Sequence, residues 1–141
     1  MLITTLFRIT LLAYSIAAAV VVIEVLVLGP RDLPDAAMSY LVWISQQPQS
    51  TFEVIAGWSS LIAVSISIAA ALSMAAYVRV ARPAFAIAIM TLVVTEIFLD
   101  FPVLKTQIEQ VADSIVGVFA GGIIVFSYWS SISVNFGKQA R

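Results

Sequence analysis

The residues of this chain best equipped for chemistry are carboxylates embedded in apolar surroundings. Glu96 and Asp100 stand four residues apart in a stretch otherwise made of Thr, Ile, Val, Leu and Phe. Helical spacing stacks them on one face, one turn apart. Glu24 closes the first apolar stretch, and Asp113 opens the last, aligned with Gly117 and Gly121 at successive four-residue steps. A carboxylate at the centre of a bilayer costs about 2.5–3.5 kcal/mol on insertion scales. Such a group must bind a proton, pair, or reach water. Each route names a function: a proton relay, a cation site, or a counter-charge for a partner's helix. The structural alternative is that Glu96 hydrogen-bonds Thr95, a serine or another acid and fixes packing, while Arg31 and Lys105 pair with the acids near the rim.

Other chemistries are poorly supplied. The chain has no Cys and no His, which removes disulfides, thiolate metal sites and the usual neutral-pH acid–base group. It holds no nucleophile–His pairing, metal-ligand set or glycine-rich phosphate loop. No enzymatic activity, metal or cofactor is therefore expected. The net charge of −1 argues against nucleic acid, whose phosphates call for clustered Lys and Arg.

The elements that position these acids follow from composition. Of 141 residues, 62% are hydrophobic and 11% charged, and the mean hydropathy is +1.07. Four apolar stretches, at about 9–28, 54–78, 84–104 and 111–134, each reach the ~20 residues needed to cross a hydrocarbon layer. The first follows Arg8 and passes Ala17-Ala18-Ala19 without turning polar, so it reads as a retained helix rather than a cleaved signal. Between the first two stretches, residues 35–46 suit either a short amphipathic helix in the headgroup region or an ordered loop. Tyr40 and Trp43 would anchor it.

Charge orients the bundle. All 8 acids, Glu24, Asp32, Asp35, Glu53, Glu96, Asp100, Glu109 and Asp113, fall at one end of these stretches. Arg8, Arg79, Arg82, Lys138 and Arg141 fall at the other. The excess of bases places both termini and the turn at residues 79–83 in the cytoplasm. Trp58 joins the outer aromatic belt; Tyr77, Tyr128 and Trp129 form the inner one.

Between helices in lipid, small residues that permit close approach do much of the packing. The second stretch carries Ala56, Ser60, Ala63, Ser67 and Ala70 on one stripe, and the fourth carries the GxxxG pair Gly117 and Gly121. That pair serves either packing within the monomer or contact with a partner or second copy. The serines are expected to bond backbone carbonyls or neighbouring helices.

Gly57-Trp58, the basic turn with Arg82-Pro83, Asp100, Tyr128-Trp129 and the closing Val134-Asn135-Phe136 resemble an uncharacterised bacterial family of four-helix inner-membrane proteins, known as a domain of unknown function. The resemblance implies topology alone, because that family has no assigned activity. At 130–133 this chain is neutral where the family is more basic.

The expectation is an all-α polytopic membrane protein in one domain: a four-transmembrane-helix bundle of the bacterial inner membrane. Its expected role is that of a small accessory or assembly subunit in contact with lipid and with other membrane subunits or itself. The rivals are a proton- or cation-coupled transport element using Glu96 and Asp100, with Glu24 in support, and an immunity or holin-like membrane protein.

Overall fold

The computed structural model describes residues 2–28, 34–48, 50–97 and 107–138, the side chains of 27, 28, 97, 107–109, 137 and 138 apart. The described residues are all helical, with no strand among them. Helix α1 runs Leu2–Ile23 and continues into a π-helical turn, Glu24–Leu28; then follow α2 (Asp35–Ser45), α3 (Thr51–Ala75), α4 (Ala81–Ile97) and α5 (Gln107–Trp129). A 3-10 turn (Ser131–Val134) and the short α6 (Asn135–Lys138) close the chain.

Among the described residues, three helices are long and apolar enough to cross a membrane: Leu2–Leu26, Thr51–Ala75 and Gln110–Trp129. Such helices suit lipid because each satisfies its own backbone hydrogen bonds. The described part of α4 has 17 residues, short of a full span; the remainder of the expected stretch 84–104, with Asp100, lies outside the described residues.

Helix ends have identifiable causes; those at the start of α1 and the end of α5 differ from the sequence expectation, whereas α3 opens where Ser50 and Glu53 lead one to expect. Helix α1 begins at Leu2 rather than at residue 9, because Phe7 is wholly buried and holds the first turns against the bundle. Helix α3 begins at Thr51 with a capping box: the Ser50 side chain accepts from the Glu53 backbone N–H (3.2 Å), and the Ser50 N–H donates to Glu53 Oε2 (2.6 Å). This satisfies two orphan donors reciprocally. Helix α5 stops at Trp129 rather than continuing to 134. The Ser130 side chain donates to Phe126 O and accepts from Ile132 N–H (3.2 Å), a local competition with the helical ladder that serines favour. The chain then folds back, burying Ile132 and Phe136.

The helices pack antiparallel in the order α4–α3–α1–α5, and α4 meets α5 only marginally. Along α1 and α5, Phe7 faces Phe126 (ring centroids 6.3 Å) and Thr10 lies beside Gly122. Along α3 and α4, Ser60 donates to Thr95 Oγ1 (2.8 Å). In the middle, Tyr14 of α1 donates to Ser67 of α3 (2.6 Å) and meets the Phe85 ring of α4 edge-on at 5.1 Å. Other hydroxyls return to their own helix: Thr10 to Leu6 O, Ser15 to Leu11 O, Ser65 to Leu61 O, Ser73 to Ala69 O and Thr91 to Ile87 O, each at 2.8–2.9 Å. A hydroxyl bonded this way can face lipid without an unsatisfied donor.

Candidate functional site

The acidic residues do not form an enclosed cluster among the described residues. Glu96 is exposed, and Glu24 and Asp113 are half-buried. Helix rise puts Glu96 about 22 Å along α4 from its start at Ala81, near the end of the described part of that helix. Glu24 opens the π-helical turn at the end of α1. Asp100 lies outside the described residues. No group of three or more Asp or Glu is placed to hold a metal ion among the described residues.

The small residues divide in two. Ala63 and Ser67 are buried, and Ser60 is half-buried with its hydroxyl on Thr95. They hold α3 against its neighbours. Gly117 and Gly121 face the other way. Both are exposed, and a Cβ at either would meet no atom within 4 Å. Gly122, one residue on, takes the position facing α1, where an added Cβ would lie 3.9 Å from the Thr10 methyl group. Among the described residues, the GxxxG pair therefore does not face another helix. Among the aromatic residues, Tyr40 stacks on Trp43 (6.0 Å, 25°) along α2, a helix with no buried residue. Trp43, Trp58 and Trp129 are all exposed.

The most developed polar arrangement lies at the opposite end, where the α3–α4 turn meets the returned C-terminal segment. The α3 terminus forms a Schellman motif: Val78 N–H bonds Ser73 O (3.3 Å) and Tyr77 N–H bonds Met74 O (2.9 Å). The motif needs a left-handed residue, normally Gly. Here it is Tyr77, at φ 58°, a conformation that costs an ordinary residue about 1–2 kcal/mol. The Tyr77 ring packs edge-on against Phe136 (5.3 Å, 78°), and Phe136 also meets Phe7 (6.4 Å, 82°).

Three arginines surround this aromatic group. Arg79 Nε donates to the Phe136 carbonyl at 2.6 Å. The Arg82 guanidinium lies 4.2 Å from the Tyr128 ring centre and 5.0 Å from that of Phe136. Arg8 lies 6.0 Å from the Tyr77 ring. Each cation–π contact contributes about 0.5–1 kcal/mol when exposed and more when desolvated. Arg82 Nε and the Tyr77 hydroxyl are buried, and neither has a hydrogen-bond partner. Residues 1–23, 54–95 and 114–141 contain no Asp or Glu.

This arrangement is absent from the sequence reading, which takes Tyr77 and Tyr128 as membrane-surface anchors and the arginines as topology signals. The available signal was Arg79 and Arg82 three residues apart, flanked by Tyr77 and Pro83. Chemically, the carboxylate end offers exposed or half-exposed acids, and the arginine end offers cations held on rings beside two unsatisfied donors. The chain matches no family model, no curated protein and no solved structure, so the four-helix family that its motifs resemble has no matching model behind it.

Proposed function

We propose that this chain is a small, non-enzymatic accessory or assembly subunit of a bacterial inner membrane. In this reading α4 and the residues after it supply a fourth span, both termini are cytoplasmic, α2 lies along the outer surface, and α5 docks against another membrane-embedded segment. The observation that carries the reading is the outward GxxxG face. Close approach of helix backbones through small residues is a main source of association in lipid, and among the described residues a Cβ at Gly117 or Gly121 would meet no neighbouring helix. The transport rival needs acids enclosed in the bundle; the exposure of Glu96 favours the docking reading over it.

The test is purification in mild detergent with mass spectrometric identification of what accompanies the chain. Wild-type protein is expected to bring a larger membrane assembly. Gly117→Leu and Gly121→Leu should lose that assembly while leaving the isolated chain as stable as before, because the added side chains enter open space. A monomer with no companion, together with a proton flux in proteoliposomes abolished by Glu96→Gln, would reverse the choice between the readings.

A further inference from the structure

We propose that the arginine–aromatic end of the bundle is a binding site for a phosphate group at the membrane boundary, a site independent of the docking face on α5. The ligand chemistry follows from what is left unsatisfied. Arg82 is stacked between Tyr128 and Phe136, yet its Nε–H is buried with no acceptor. The Tyr77 hydroxyl is buried with no partner, and the Tyr77 and Arg82 groups flank the same Phe136 ring at 5.3 and 5.0 Å. Buried donors are ordinarily paired, and an unpaired one costs about as much as a lost hydrogen bond. Tyr77 also occupies a left-handed position that Gly would occupy without strain. Strain, an unsatisfied hydroxyl and an unsatisfied guanidinium Nε–H thus occur around the same Phe136 ring, as at sites whose ligand completes the hydrogen bonding.

The missing partner must accept hydrogen bonds and carry negative charge. Arg8 and Arg79 add positive potential beside it, and a fork of guanidinium donors matches phosphate oxygens. A phosphate can come from the headgroup of an anionic lipid or from a soluble phosphate. Basic pockets between membrane helices near the surface hold headgroups in this way.

The full chain is reconstituted in nanodiscs of phosphatidylcholine alone, of phosphatidylcholine with phosphatidylglycerol, and of phosphatidylcholine with inorganic phosphate in the buffer; thermal unfolding is followed in each. Stabilisation by phosphatidylglycerol alone supports the site and makes its ligand a lipid. Stabilisation by inorganic phosphate without the anionic lipid supports the site with a soluble ligand. Stabilisation by neither overturns it. Tyr77→Phe is the decisive variant, because it removes only an oxygen with no partner in the protein. It should unfold no sooner than wild type in pure phosphatidylcholine, yet bind the stabilising phosphate about tenfold more weakly. Arg82→Gln should weaken binding at least as much; should it not fold, Tyr77→Phe still decides. Wild-type phosphate binding by Tyr77→Phe overturns the proposal.

Discussion

The two ends of this bundle are built from different materials. The largest buried side chains lie toward the arginine end: Phe7, Leu11, Tyr14, Met74, Phe85, Ile123, Ile132 and Phe136, each no more than 2% exposed, with small residues such as Ala71 and Ala81 between them. Toward the carboxylate end the buried residues are Ala56, Ala63, Thr95 and Ala112. Shallow grooves open in that half, one of about 670 Å³ between α1 and α5 lined by Ala13, Val20 and Phe119 among others, and one of about 430 Å³ along α3 and α4 beside Ser59 and Thr95. The lesson is that cohesion is concentrated at one end. Dispersion contacts scale with the atoms brought together, so the aromatic end holds the helices firmly, while the acidic end relies on close approach of small residues and a single interhelical hydroxyl pair, Ser60 with Thr95.

Four substitutions sharpen this contrast. The largest effect is expected for Phe136→Ala, which removes a ring shared by Phe7, Tyr77 and Arg82; a loss of about 3–5 kcal/mol should appear as a marked fall in unfolding temperature in detergent. Tyr14→Phe deletes the bond to Ser67 but keeps the ring on Phe85. Interhelical side-chain bonds in membrane bundles average ~0.6 kcal/mol with a maximum near 1.7, and this buried one should lie in the upper part of that range by chemical denaturation. Ser60→Ala should cost about 0.6 kcal/mol, since its bond to Thr95 is only part-buried. Gly117→Leu should cost nothing in the isolated chain, a slight gain from helix propensity being the expected sign. If Ser60→Ala proved as damaging as Phe136→Ala, the asymmetry between the ends would be wrong.

What was legible in the sequence follows the same division. The stripe of Ala56, Ser60, Ala63 and Ser67 could be read because small residues at helical spacing have one dominant use in lipid, and Glu53 beside Ser50 marked the start of α3. The direction faced by Gly117 and Gly121 could not be read, because GxxxG records that close approach is allowed and not on which side. Gly122, one residue away, took the interior position. The return of Phe136 into the bundle was hidden by a polar tail whose serines end α5. The Tyr14–Ser67 bond was hidden because nothing in the sequence around Tyr14 points to a partner across 53 positions. Glu96 reads from the sequence as slightly outward of the middle of a helix over 84–104; α4 starts at Ala81 instead, and residues 98–104 of that stretch lie outside the described residues.

The account rests most heavily on a chain that crosses the membrane four times with its arginine end in the cytoplasm. The chain contains no cysteine, so single cysteines can be introduced one at a time at the exposed positions Ser39, Val80, Gln110 and Ser131 and probed in intact bacterial cells with a membrane-impermeant maleimide. Ser39→Cys and Gln110→Cys should label from outside, and Val80→Cys and Ser131→Cys only after the membrane is permeabilised. Labelling of Gln110→Cys from the same side as Val80→Cys would show that α4 does not cross, and would contradict the four-span bundle.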